Sequence, residues 1–173
     1  MARKIRVAFD LDGVIVDKPP LIPQRLIDRL FKGGNQRELR YRFPRFKLEK
    51  YLRKISHYYL FRPPIGNNIA LIRRLAREKE YELFVISGRY SFLKDETKNW
   101  LKKRELEDLF AEVFVNLGDE QPHLFKERML RKIKADIFVE DDEEIASFLK
   151  EKLSSLKVVC PSNKKIEISS ICN

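Results

Sequence analysis

The chain has few of the residues that build covalent or metal cross-links. Its 173 residues include two cysteines, Cys160 and Cys172, and two histidines, His57 and His123. Two cysteines cannot form a disulfide framework or, by themselves, a zinc site. They read as free thiols near the end of the chain, with a Cys160–Cys172 bridge as the alternative. The isolated histidines read as surface or packing residues. No stretch approaches the ~20 apolar residues that a membrane-spanning helix needs. The basic opening Met1-Ala2-Arg3-Lys4 looks like the start of a secretion signal, but Asp10 and Asp12 cut short the apolar run behind it. A cytoplasmic protein with no membrane partner is the expectation. Glutamine is also scarce (Gln24, Gln36 and Gln121), and with 36% charged residues this leans towards a thermophile's composition. Disorder as the main state is excluded, because 43% of the residues are hydrophobic and can build a core.

The formal net charge is +10, from 36 Lys+Arg against 26 Asp+Glu. It is unevenly spread. From Lys18 to Arg62 there are 13 bases and three acids (Asp28, Glu38, Glu49), so this block carries the whole surplus and the remainder is neutral. The block also holds eight of the 19 aromatic residues. Such a composition boundary predicts an insertion, residues 18–62, in a core made of residues 1–17 and 63–173.

Outside the block, short apolar runs alternate with helical stretches. Ile5–Phe9, Leu83–Ile86, Val113–Val115, Ile137–Val139 and Val158-Val159 read as strands. Asn68–Lys79, Phe92–Arg104, Leu124–Lys134 and Glu143–Leu153 read as helices. The alternation predicts an α/β fold with a parallel sheet of about five strands, and the near-continuous apolar strands fit a sheet covered on both faces. The basic block reads as mainly helical, with one helix over Gln24–Lys32 stopped by Gly33-Gly34 and a second run, preceded by Pro44, through about Phe61.

Polar groups gather at the strand ends, where parallel sheets bind ligands. They are Asp10-Leu11-Asp12-Gly13, Ser87-Gly88-Arg89 and Glu140-Asp141-Asp142. Asp10 and Asp12 are two apart, so an extended chain points both the same way. A nucleophilic carboxylate beside a second carboxylic acid suits acyl-phosphate chemistry, one attacking and the other handling the leaving-group proton. Several crowded carboxylates need a cation, and hard oxygen ligands suit Mg²⁺. Lys126 can supply a fixed positive charge for a phosphoryl group. A plain turn, a calcium loop or acids gathered at a helix N-terminus are the simpler alternatives. The glycine is one that a calcium loop of the helix–loop–helix kind would place elsewhere.

Val7-Ala8-Phe9-Asp10-Leu11-Asp12-Gly13 resembles motif I of the haloacid dehalogenase (HAD) superfamily. Leu83–Ser87 resembles motif II, Lys126 stands where motif III expects its lysine, and Ile137–Asp142 resembles motif IV. The resemblance implies a three-layer Rossmann-like core and a Mg²⁺-dependent phosphatase. Asp10 would be the nucleophile and Asp12 the general acid and base. Ser87, Gly88 and Lys126 would bind phosphate. Asp10, the Asp12 backbone carbonyl and Asp141 would bind the metal, with Asp142 as the alternative to Asp141.

Insertions in this superfamily cap the active site, and the 18–62 block would be a small helical cap of the C1 type. Together with Pro63-Pro64-Ile65-Gly66 and Ser87-Gly88-Arg89, it is similar to the 5′(3′)-deoxyribonucleotidase branch. A small phosphorylated substrate, with a nucleotide as leading choice, is therefore expected. The basic-aromatic run Arg40–Lys47 keeps open a phosphatase of nucleic-acid ends, or a non-catalytic nucleic-acid-binding protein on the same scaffold. The same run also reads as an amphipathic segment with its aromatics packed inward.

Overall fold

A computed structural model describes residues 3–19 and 39–172. The expected helix over Gln24–Lys32 and its Gly33-Gly34 stop lie outside the described residues. Five strands, β1 (Ile5–Phe9), β2 (Tyr81–Tyr90), β3 (Glu112–Asn116), β4 (Ile137–Val139) and β5 (Lys157–Val159), form one sheet in the order β3-β2-β1-β4-β5. Every neighbouring pair is parallel.

The helices are α1 (Lys47–Ser56), α2 (Gly66–Arg77), α3 (Lys94–Lys103), α4 (Pro122–Ile133), α5 (Glu143–Lys152) and a last turn, α6 (Ser169–Cys172). Alternate strand residues feed two cores, as a period of two requires. Val7, Phe9, Leu83, Val85 and Val139 pack with α2 and α3 through Ile72, Leu75 and Trp100. Ala8, Phe84, Ile86 and Phe138 pack with α4 and α5 through Phe125, Leu130 and Leu149. The result is the expected three-layer α/β sandwich.

Strands β1, β2 and β3 run outward in one direction, and the chain then returns to place β4 on the other side of β1. The carboxyl ends of β1 and β4 thus flank the point where the strand order reverses, the position at which open α/β sheets form a crevice.

Two boundaries differ instructively from the sequence expectation. Strand β2 runs on to Tyr90, because Ser87 pairs with Val115 and Tyr90 with Asn116, leaving Gly88 and Arg89 as extra residues in a bulge. Helix α1 ends at Ser56 instead of continuing to about Phe61. The carbonyl of Arg53 accepts from the His57 amide at 3.0 Å and from the Ser56 hydroxyl at 2.8 Å, and the His57 ring Nδ1 lies 2.7 Å from it. Side chains bonding to the local backbone in this way compete with helix propagation. The chain then turns through Tyr58 and Phe61 by shorter-range bonds.

The residues that flank the 18–62 block are bonded to one another. The Asp17 amide donates to the Pro63 carbonyl at 2.8 Å, and the Ile65 amide to the Ile15 carbonyl at 2.9 Å. Of the basic-aromatic run, Tyr41 and Phe43 turn towards the core, Phe43 meeting the Tyr90 ring edge-on at 4.9 Å. Phe46 is exposed, as are Leu48, Tyr51 and Leu52 on α1. Among the described residues no helix is long and apolar enough to cross a membrane. Cys160 is a free, exposed thiol.

Candidate active site

A cleft of about 500 Å³ opens at the carboxyl ends of β1, β2 and β4. Asp10, Asp12, Gly88, Lys126, Asp141 and Asp142 all line it, so most of the site residues read from the sequence meet there. Ser87 is buried and lies outside the lining; its hydroxyl oxygen is 3.4 Å from the Arg89 amide.

The backbone around Asp10 explains why this sequence folds this way. The Asp10 amide donates to Val139 at 2.9 Å, extending the β1–β4 pairing by one residue and fixing the start of the loop. Gly13 then adopts φ +79°, in the left-handed region. A Cβ there would lie 1.9 Å from the nearest Asp141 oxygen. The glycine thus allows both the turn and the approach of Asp141. Gly88 serves helix packing in a related way: a Cβ there would lie 2.9 Å from Pro122 Cβ. Pro122 sits in the first turn of α4, where a missing N–H costs nothing, and Lys126 follows one turn later.

Lys126 is buried and its Nζ lies 3.0 Å from Asp10 Oδ1 and 2.6 Å from Glu140 Oε2. Burial alone would push the ammonium down, but the two carboxylates outweigh it and hold it well above its ordinary value. Glu140 is fully buried. The sequence places it in motif IV without a role; in the structure it is the counterion that holds Lys126.

Ligand oxygens of Asp10, Glu140 and Asp141 all lie within 4.8 Å of one another. Burial raises Asp10 and Glu140 above the usual carboxylate range, with Lys126 opposing. Burial, with Asp10 beside it, lifts Asp141 to about 7. One ammonium cannot keep three crowded acids ionised, and a divalent cation can. The donor set is all oxygen, as Mg²⁺ prefers. Glu140 has both oxygens engaged, by Lys126 at 2.6 Å and by the Asp142 amide at 3.2 Å, so Asp10 and Asp141 are the side chains that fit the ion.

Asp142 takes another part. Its Oδ1 accepts from the Glu144 and Ile145 amides at 3.0 and 3.3 Å, capping α5, and its Oδ2 accepts from the Tyr41 hydroxyl at 2.7 Å. Burial and Asp142 together push the Tyr41 phenol upward, so it remains a donor. The Tyr41 amide also donates to Gln121 at 2.8 Å, which fastens this part of the insertion to the core.

The Asp12 carboxylate is gripped by two arginines. Arg89 Nε donates to Oδ2 at 2.6 Å and Arg89 Nη2 to Oδ1 at 2.7 Å, while Arg62 Nη2 also donates to Oδ1. Burial would raise this acid, but Arg89 and Arg62 overcome it and hold Asp12 well below the carboxylate range. His57 lines the same cleft and is pushed down to about 3 by burial and by Arg89, so its ring is neutral. Arg62, Tyr41 and His57 were not readable as site residues, and Arg89 was legible only as the end of Ser87-Gly88-Arg89, without a role. The Tyr41–Asp142 and Arg62–Asp12 contacts span 101 and 50 positions, and no local pattern announces them.

No protein-family model matches the chain, and no curated protein does. Solved structures do. A haloacid dehalogenase-like hydrolase from Streptococcus pneumoniae gives a TM-score of 0.63 at 14% identity, over 99% of this chain and 90% of its own. A HAD family enzyme from Bacteroides thetaiotaomicron, in complex with magnesium and inorganic phosphate, gives 0.62 at 12% identity, over 98% and 99%. A subfamily IA hydrolase of the HAD superfamily from Geobacter sulfurreducens gives 0.50 at 15% identity, over 91% and 86%. The structural neighbours are thus HAD-like hydrolases, and the chain has their Rossmann-like fold.

Proposed function

We propose that the chain is a Mg²⁺-dependent phosphomonoester hydrolase that works through an aspartyl-phosphate on Asp10. One observation carries the reading: Asp10 stands at the strand-order reversal with Lys126 at 3.0 Å and Asp141 in the same cluster, at the mouth of a cleft. The magnesium and inorganic phosphate held by the Bacteroides thetaiotaomicron enzyme support it by analogy of fold.

In this reading Asp10 forms a bond to phosphorus as the bond to the alcohol oxygen breaks, and the departing oxygen takes a proton from Asp12. A water then gives its proton back to Asp12 and attacks the phosphorus, releasing inorganic phosphate and the Asp10 carboxylate. Lys126 neutralises the phosphoryl oxygens, and Gly88 leaves backbone room beside them. Mg²⁺, when bound by Asp10, Asp141 and the Asp12 carbonyl, supplies charge neutralisation of the transferring group. Asp12 as held by its arginines is ionised but a weak base, so taking a proton from water also requires that this grip loosen. For the acid step it must leave them and take up a proton.

A nucleotide is the leading substrate, because the insertion that lines the cleft carries the chain's entire basic surplus and would draw in polyanions. Assay of p-nitrophenyl phosphate with Mg²⁺ tests the chemistry. Hydrolysis that disappears in Asp10→Asn and on adding a chelator is expected; an Asp10→Asn variant with wild-type turnover overturns it. The exposed Phe46 and Tyr51 among basic residues favour a second reading, binding to nucleic acid. That reading predicts affinity falling steeply with salt and unaffected by Asp10→Asn.

A further inference from the structure

Around Asp12, two guanidiniums face one carboxylate. Arg62 and Arg89 are nearly inaccessible, with side chains 7% and 3% exposed, yet both line the cleft. Arg89 is fully engaged: besides its two bonds to Asp12, Nη1 donates to the Thr97 hydroxyl at 3.1 Å. Arg62 is not. Its Nε is buried and has no acceptor among the described residues. The neighbouring His57, held neutral, adds no negative charge. Desolvated cations are costly unless they are paired and hydrogen-bonded; the next carboxylate acting on Arg62, Asp17, is itself bonded to Lys164 at 2.7 Å, and one fork position is left over.

Orienting Asp12 does not account for this surplus, since the bidentate Arg89 already fixes both carboxylate oxygens. A guanidinium fork with a free Nε matches a planar carboxylate or a phosphate. In the phosphatase reading, which this inference rests on for its location, Asp10 and Lys126 take the transferred phosphoryl group and Asp12 meets the leaving oxygen. The arginines therefore adjoin the leaving group.

We propose that Arg62 and Arg89 form a second anion subsite, which binds a phosphate or carboxylate carried by the leaving group of the substrate. The Asp12 carboxylate holds that place in the free protein, and the incoming anion shares or takes over the pair. The substrate class is then a phosphomonoester with a second anionic group, such as a bisphosphate or a phosphorylated acid.

Calorimetric titration with non-hydrolysable ligands tests this without turnover. With Mg²⁺ present and ionic strength fixed, alkyl monophosphonates are compared with α,ω-diphosphonates and ω-phosphonocarboxylates of matched chain length. At least one doubly anionic ligand should bind tenfold or more tightly than its monophosphonate, and the better of the two classes distinguishes phosphate from carboxylate. Arg62→Gln, in protein that a melting curve shows to be folded, should remove the advantage while leaving monophosphonate affinity within twofold. Arg74→Gln, an equal charge change on α2 at a surface ion pair with Glu78, should retain it. Advantages under twofold in the wild type, persistence in Arg62→Gln, or no binding by any ligand would each overturn the subsite. Failure of p-nitrophenyl phosphate hydrolysis alone removes the phosphatase reading and leaves this comparison readable.

Discussion

Replacing Gly13 by alanine probes the site through the backbone, without touching any carboxylate. Two costs follow from the geometry. The residue sits at φ +79°, where an L side chain costs roughly 1–2 kcal/mol. The new Cβ would also fall 1.9, 2.1 and 2.6 Å from three atoms of the Asp141 carboxylate, against the 3.4 Å at which ordinary contact begins. Asp141 must retreat by about 1.5 Å, well beyond the ~0.5 Å within which a catalytic constellation has to be held. Misplacement by ~1 Å can cost about 10²-fold in rate. The variant should therefore melt roughly 2–8 °C lower, at about 2–4 °C per kcal/mol for a chain of this size. It should lose about 10²-fold in kcat/KM and need much more Mg²⁺ for half-maximal rate. Calorimetry and a Mg²⁺ titration of p-nitrophenyl phosphate hydrolysis measure both. A folded Gly13→Ala protein whose kcat/KM and Mg²⁺ requirement stay within threefold of wild type would refute the reasoning.

Three further perturbations follow from buried polar contacts. Lys126→Met strands Glu140, which is fully buried, and should cost about 3–5 kcal/mol. Adding Glu140→Gln should restore most of the melting temperature and none of the activity; an unaltered Lys126→Met melting temperature would contradict the pairing. Asn68 is fully buried, donates to the carbonyls of Val14 and Lys164 at 2.7 and 2.9 Å and accepts from the Ile166 amide at 3.0 Å. Asn68→Ala should cost about 3 kcal/mol in urea unfolding, each unsatisfied group accounting for ~1–3 kcal/mol, and a loss under 1 kcal/mol would show that the tail is held otherwise. His57, lowered from 6.5 to about 3, binds fewer protons folded than unfolded across that interval, so its contribution to stability declines as pH falls below 6.5 towards 3. Its ring resonances should remain those of the neutral form at pH 5, and a midpoint above 6 would sink the account.

Where local pattern and tertiary context agree, the sequence was a good guide. Strands β1 and β4 run over the expected residues, Ile5–Phe9 and Ile137–Val139, because an apolar run in a parallel sheet ends where its polar strand-end residues begin. Helix α4 starts at Pro122, two residues before expectation, since proline is welcome in a first turn. The bulge at Gly88-Arg89 was invisible, because it depends on pairing with β3. At the site, Asp10 and Asp12 are two apart in sequence and so could be read together. The capping role of Asp142 could also have been read, since Asp142-Glu143-Glu144 before Ile145, Ala146 and Leu149 is a helix-start pattern. The Lys126–Glu140 pair and the two arginines on Asp12 are contacts across 14, 50 and 77 positions. Distances of that kind are set by the packing of the sheet and its helices, and composition cannot supply them.

The hydrogen bonds that join Asp17 to Pro63 and Ile15 to Ile65 bear on how such a protein can diversify. They seal the core at the point where 45 residues enter and leave it, so the sheet meets two chain ends already held together, whatever lies between them. Closing a longer loop adds only about 0.6 kcal/mol per doubling of length. The segment beyond that clasp can be lengthened, trimmed or exchanged at small thermodynamic cost, while Asp10, Lys126 and Asp141 keep their places. What is exchanged with it is Arg62, Tyr41 and His57. Under the proposed function, selectivity could therefore be rewritten in one stretch of chain while the residues proposed for the chemistry stay in place.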